Sequence, residues 1–438
     1  FVYGGGGLMG VHGTTVAFMR WPGGHEDWPE FGAMLGGRGA AHRAGKEHIF
    51  VKLDSPDHAL NRVFGGKPFE YRDEFFRVHG PYSRDRQRVL FSIDVDKTDL
   101  TRDGKPVKPE RADNDYALAW VRSHGRGRVF YCTIGHNPYV FWDATMLRFY
   151  LDAAQFALGD LPASTIPSAK LTPAAEAEER LGWRLALTAY TFHKYTLFET
   201  IDKAAQLGIP YIEGLSFQKV SDDIPKQFTP QLTDDELRQV KAKLNEAGVR
   251  MLTYYFHNIP ADEAGCRQVF EFGRKMGIET FLSEPKPEAL DTIEKFCDEY
   301  DICVAIHNHG PEASPLYWNP EGILKACEGR SKRIGACADI GYWMRAGIDP
   351  IDGVRKLKDR LLTIQLHDLD QRTAEGQDVP WGTGAGQTAR LLGELKTLGV
   401  RPLVIGLEYS RDWLESMPQV GQCAEFYRKT CLELTPSP

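Results

Sequence analysis

Ile302-Cys303-Val304-Ala305-Ile306-His307-Asn308-His309-Gly310 is a short apolar run, rich in β-branched residues, that breaks off in two imidazoles flanking an amide. Such a run is a strand buried on both faces whose last residues emerge at a polar mouth. Three later runs have the same shape. Ala336-Cys337-Ala338 ends in Asp339, Leu361–Leu366 in His367-Asp368, and Leu403-Val404-Ile405-Gly406-Leu407 in Glu408. Upstream, Arg184–Tyr190, Pro210–Gly214, Gly248–Tyr255 and Thr280–Glu284 read as strands, and amphipathic helices alternate with all of them. Thr233, followed by Asp234-Asp235-Glu236, marks one helix start, and the 3.6-residue period of Leu197, Ile201, Ala204 and Ala205 marks another. Eight strands with intervening helices over residues 181–434 predict a (β/α)₈ barrel.

Chemistry in such a barrel sits where the carboxyl ends of the strands converge. Those ends carry Glu213, His257, Glu284, His307 with His309, Asp339, His367 with Asp368, and Glu408. A single histidine at a strand end is ordinarily a hydrogen-bonded structural residue, Asp339 alone could cap the next helix, and Glu408 alone could pair with Arg411. One topology brings all these ends to one mouth, however. Gathered carboxylates and imidazoles are costly unless their charge is compensated, which a divalent cation does best. The mixed nitrogen and oxygen donors suit Mn, Zn, Co or Fe, and Mg is kept as a further divalent candidate. Trp343, Trp381 and Trp413 fall near the same mouth, where an indole could stack on the ring of a ligand, although packing is the commoner role for tryptophan.

The 438 residues exceed one ordinary domain, and the first 160 read differently. Phe1-Val2-Tyr3, four glycines and Leu8–Thr15 suggest a strand, a glycine-rich turn and a helix start. A phosphate role for that turn lacks both the GxGxxG and the GK[ST] pattern. His12, His136, Asp73 and Glu74 are candidates for a small polar site, against the plainer reading of turn caps and a surface acidic pair. Residues 161–180, rich in Pro, Ser, Thr and Ala, read as a linker, with a short helix through Ala174–Leu181. The chain opens on Phe1, so part of the first domain is expected to lie upstream.

A formal charge of −7 argues against nucleic acid, and no apolar run reaches the roughly 18 residues that span a bilayer. A soluble protein, cytoplasmic or periplasmic, is expected, with self-association left open. The eight cysteines form no CxxC pair and read as small buried hydrophobes.

Two resemblances add to this reading. Gly5-Gly6-Gly7-Leu8-Met9-Gly10-Val11-His12, Asp73-Glu74, Ala119-Trp120-Val121, Gly127–Tyr131 and Gly135-His136 resemble trehalose-utilisation (ThuA-like) domains. That resemblance implies a partial, flavodoxin-like α/β domain of the class I glutamine-amidotransferase type over residues 1–160, incomplete at its amino end. Where amidotransferases carry a nucleophilic cysteine, this chain has His12-Gly13-Thr14, so thiolate chemistry is not expected. Thr188–Phe192, Ala305–Pro311, Cys337–Tyr342, Leu366–Asp368, Asp378–Gly384 and Leu407–Tyr409 resemble the sugar phosphate isomerase/epimerase, xylose-isomerase-like barrels.

Members of that superfamily hold a divalent metal with Glu, Asp, His and Glu from the fifth to eighth strands. Asp339, His367 and Glu408 match the last three. The fifth strand carries His307 where relatives have glutamate, so the resemblance implies either His307 or Glu284 as the fourth ligand. Glu284 is the expectation, with His307 or His309 as general base and Glu213 and His257 as further catalytic candidates. The implied activity is metal-dependent isomerisation or epimerisation of a keto-sugar through an enediolate. The alternatives are a 3-keto-glycoside lyase or dehydratase using the same metal site, and a non-catalytic carbohydrate-binding protein. The endonuclease IV branch of the superfamily needs a basic groove and more histidines than this chain supplies.

Overall fold

The computed structural model describes all residues except 21–25, 44, 103, 107–110, 403 and 436–438. Leu403, in the eighth expected strand, therefore lies outside the described residues. The chain forms two compact units, Phe1–Leu171 and Thr172–Pro438.

The second unit is a closed barrel of eight parallel strands, each paired with the next and the last with the first. The strands are Leu185–Thr188, Tyr211–Leu215, Arg250–Tyr255, Thr280–Ser283, Cys303–His307, Ile334–Asp339, Leu361–Leu366 and Val404–Leu407. The helices between them bury one face against the barrel because their apolar residues recur at the helical period; Leu197, Ile201 and Ala204 of Leu197–Gln206 are all buried. Capping boxes start two of them, Thr196 with Glu199 and Thr233 with Glu236. Inside the barrel, Ala186, Leu252 and Val404 pack as one cluster and Leu215, Tyr255, Leu282, Ala305 and Cys337 as another.

Residues 161–180 contain a 3₁₀ turn, Ser168–Lys170, and the start of a helix, Pro173–Leu181, whose amide ends Thr172 caps. That helix packs against the terminal helix Met417–Leu434. The sequence pattern located neither this terminal helix nor the short Ile340–Arg345 helix that follows Asp339 directly.

The first unit is built on a six-stranded sheet. Its order is Gly7–Val11, Gly127–Cys132, Ala117–His124, Arg88–Ile93, Glu47–Leu53 and Phe69–Asp73. The first pair is parallel and the others antiparallel. The expected order of strand and then glycine turn is reversed: turns occupy residues 2–5 and the strand begins at Gly7. Packing explains the glycines. A Cβ on Gly7 would strike the carbonyl of Ala157, and one on Gly127 that of Val2. The helix Ala144–Leu158 covers the sheet, with Phe149, Ala153 and Phe156 in the core. All eight cysteines are free thiols and seven are buried. Among the described residues, no helix is long and apolar enough to cross a membrane.

Candidate metal centre at the barrel mouth

Asp339 closes the sixth strand and caps the next helix with one oxygen. Its Oδ1 accepts the Tyr342 N–H at 2.9 Å. The other oxygen, Oδ2, turns to the barrel axis, 3.5 Å from His307 Nε2 and 3.8 Å from His367 Nε2. The cap and the site therefore use different atoms of one carboxylate. Glu408 follows the eighth strand; Thr188 Oγ1 donates to its Oε2 at 3.3 Å and Ser410 Oγ to its Oε1 at 3.2 Å. Burial and the neighbouring Asp339 push the Glu408 carboxyl up, against the pull of His367 and His307.

His367 decides what the group can hold. Its Nδ1 lies 2.7 Å from Asp378 Oδ1, and the other Asp378 oxygen takes Arg345 Nη2 at 2.9 Å. A carboxylate only accepts, so Nδ1 carries a proton and the lone pair of the neutral ring falls on Nε2. That Nε2 is buried, has no hydrogen-bond partner among the described residues, and faces Asp339 Oδ2 and Glu408 Oε1 at 3.8 Å each. An orphaned buried nitrogen costs about 1–3 kcal/mol. Two carboxylates and one oriented imidazole nitrogen that converge at metal-ligand distance fit a divalent cation. Without one, burial would keep a proton off the ring, but Asp378 and Asp339 outweigh it and raise His367 to about 9.

Glu284, the expected fourth ligand, lies at the same mouth beside His307 and His309. The imidazole of His307 spans the gap between the two carboxylates, with Nδ1 at 3.6 Å from Glu284 Oε1 and Nε2 at 3.5 Å from Asp339 Oδ2. Glu284 Oε1 instead accepts His309 Nδ1 in a short hydrogen bond and Tyr255 OH at 3.3 Å. Among the described residues, then, the potential ligands form two groups at this mouth: Asp339, His367 and Glu408, and Glu284, His307 and His309. Burial would raise the Glu284 carboxyl, yet His307 and His309 hold it well below the usual range. His307 is the reciprocal case. Burial would lower it, while Asp339 and Glu284 raise it to about 10.

Two further expected residues flank these groups. Glu213 is buried, receives Gln365 Nε2 at 2.7 Å and Thr253 Oγ1 at 3.1 Å, and is pushed up to about 7 by burial and by Glu408. Gln365 Oε1 meets His307 Nε2 at 2.6 Å, so Glu213, Gln365 and His307 form one hydrogen-bonded row. His257 is mostly exposed and holds Tyr255 OH at 2.9 Å, with Glu284 at 3.6 Å. Asp368 serves the loop, accepting the N–H groups of Gly382, Gly384 and Gly386. The indoles part company: Trp343 and Trp381 are core residues and cannot reach a sugar, whereas Trp413 is half-buried against His193 and Tyr190.

Residues 201–430 match the family model of xylose isomerase-like TIM barrels. The chain belongs to this family. Residues 1–157 match the ThuA model, trehalose utilisation. A search of curated proteins found no match. Among solved structures, an uncharacterised protein from Parabacteroides distasonis ATCC 8503 is 32% identical, with a TM-score of 0.47, covering 57% of this chain and 99% of its own. A xylose isomerase-like TIM barrel protein from Mycobacterium smegmatis, in complex with magnesium, is 11% identical, with a TM-score of 0.47, and covers 57% and 97%. D-psicose 3-epimerase from Clostridium cellulolyticum H10, with D-tagatose, is 11% identical, with a TM-score of 0.44, and covers 57% and 99%.

In this xylose isomerase-like barrel, Asp378, Gln365, Thr188, Thr253 and Tyr255 escaped the reading of strand ends. Strand alternation was the available signal. Thr253, Tyr255 and His257, and likewise Gln365 and His367, lie two apart in apolar runs and so share the inner face.

The charge arrangement predicts a pH effect on the metal-free protein. Because His307 is raised above its ordinary 6.5, the stabilisation it provides is complete below pH 6.5 and is lost as pH climbs towards about 10. Thermal melts in chelator are expected to drop between pH 6.5 and 9.5, and to drop less in His307→Gln. Parallel pH profiles for the two proteins would refute this.

Proposed function

We propose that the barrel is a divalent-metal-dependent enzyme that isomerises or epimerises a keto-sugar through an enediolate. The buried, partnerless Nε2 of His367, facing the two carboxylates, carries this reading. Asp339, His367 and Glu408 would hold the ion. A divalent cation here supplies Lewis acidity, which polarises a carbonyl and acidifies the adjacent C–H.

The remaining steps belong to the side chains. His309, half-exposed, gives its Nδ1 proton to the hydrogen bond with Glu284 and keeps Nε2 for proton transfer. In this reading Glu284 is a positioning residue, and the charge of His307 keeps it ionised. Glu213, poised at about 7, can release or take up a proton near neutrality and is the second acid/base candidate. Returning the proton to the other carbon of the enediolate gives isomerisation, and returning it to the opposite face gives epimerisation. Trehalose is a glycoside, so the trehalose-utilisation match is compatible with a second reading, in which the enediolate expels a β-oxygen and the enzyme is a 3-keto-glycoside lyase or dehydratase.

Metal-stripped and reloaded protein, screened by NMR against ketoses, inososes and 3-keto-glucosides, tests both readings. An isomer or epimer supports the first, and a released aglycone or water the second. Turnover that survives complete stripping would contradict the metal dependence.

Asp378→Asn gives a milder test of the same site. Loss of the carboxylate that orients His367 is expected to weaken metal binding by about 10- to 100-fold. Activity should return at high metal concentration. Unchanged affinity in a competition titration would count against the assigned tautomer.

A further inference from the structure

We propose that the ThuA unit carries a second divalent transition-metal site, built from His12, Glu74 and His136, with a coordination position open to solvent. The three ligand atoms form a nearly equilateral triangle. His12 Nε2 is 3.3 Å from His136 Nδ1 and 3.4 Å from Glu74 Oε1, and His136 Nδ1 is 3.5 Å from the same oxygen. A tetrahedral ion with bonds of about 2.0–2.1 Å has ligand–ligand edges of about 3.4 Å. The triangle therefore has the dimensions of one face of such a site.

Each ligand is held in that pose by a separate device. His12 directly follows the edge strand with φ of +49°, in the left-handed region that few non-glycine residues adopt, and its Nδ1 lies 2.8 Å from the Thr133 carbonyl. That contact leaves Nε2 as the ring's lone-pair nitrogen in the neutral form, directed at Glu74 and His136. His42 Nδ1 holds the second oxygen of Glu74 at 3.0 Å. The loop that carries His136 is fixed by Asp73. This fully buried carboxylate accepts the N–H groups of Gly135, His136 and Asn137 at 2.6, 3.1 and 3.0 Å. Asp73 is thereby an anchor and not a ligand.

Two imidazoles and one carboxylate, with the fourth direction towards solvent, match the donor set of catalytic zinc and of non-haem iron, and not the oxygen-only set of calcium or magnesium. Among the three ligands the side chain of His136 is 43% exposed, against 16% for His12 and 12% for Glu74, so the site opens to solvent on the His136 side.

The test uses the full chain, stripped of metal and reloaded with Co²⁺, with bound cobalt counted by elemental analysis after desalting. The variants are His136→Asn, which keeps the backbone bond to Asp73, and His12→Asn, because asparagine tolerates positive φ. Each is expected to bind one equivalent fewer than the parent chain, at unchanged melting temperature in chelator. Asp339→Asn combined with His367→Asn, which disables the barrel triad, should retain the equivalent that His136→Asn loses and show the visible absorption of four- or five-coordinate cobalt. Equal cobalt in the parent and both histidine variants would overturn the proposal. So would a barrel double variant that binds none.

Discussion

Replacing His367 with asparagine is expected to remove the divalent ion from the barrel and to lower turnover by at least about 10³-fold, without unfolding the chain. Asparagine's amide can occupy the place of Nδ1 and keep the Asp378 contact at the position now spanned by 2.7 Å. It removes only the far side of the ring, where Nε2 faces Asp339 and Glu408. The two buried carboxylates then confront each other with neither imidazole nor cation between them, so metal affinity should fall with activity. Elemental analysis, a melting curve and a turnover assay on one preparation check this. Full metal content in a folded His367→Asn would remove His367 from the site.

The second large effect is expected at Glu284, and it separates two roles that the sequence could not. If Glu284 orients His309, then Glu284→Gln keeps its metal and loses about 10²- to 10⁴-fold in turnover, because an ionised carboxylate no longer supports the imidazole base. His309→Gln should lose a similar factor, and the double variant little more than either alone, since the two act as one unit. If Glu284 is instead the fourth ligand, Glu284→Gln loses the ion. Metal content thus decides between the roles whatever the substrate is. The geometry favours the first: Glu284 bonds to His309, and the ring of His307 lies between it and Asp339.

The barrel was legible because its strands are buried on both faces and all but the first run abruptly into an ionisable residue at or just beyond the carboxyl end. The same feature exposed Asp339, His367 and Glu408, whose ligand atoms do converge. What the sequence could not convey was the side on which each polar group is satisfied. Whether Asp339 caps a helix or faces the axis is a question about individual oxygens, and it does both. Asp378 lies eleven residues beyond His367, in a loop folded back by Asp368, and no local pattern announces it. In the ThuA unit, the antiparallel part of the sheet rests on the long-range pairing of Glu47–Leu53 with Phe69–Asp73 and Arg88–Ile93, to which a strand's local pattern is blind. His12, Glu74 and His136 were visible as residue types, but only tertiary structure sets three such distant positions at metal-ligand spacing.

Metal-dependent proton transfer at carbon is the chemistry on which the barrel's proposed role depends, and deuterium exchange detects it whatever the product. Ketoses, inososes and 3-keto-glucosides are incubated in D₂O with chelator-stripped protein, with reloaded protein, and with reloaded His367→Asn, and followed by NMR. The C–H signal next to the carbonyl of at least one substrate is expected to disappear with reloaded protein alone. Substrates that bind to the reloaded protein but exchange no C–H proton would contradict this and identify the barrel as a carbohydrate-binding module.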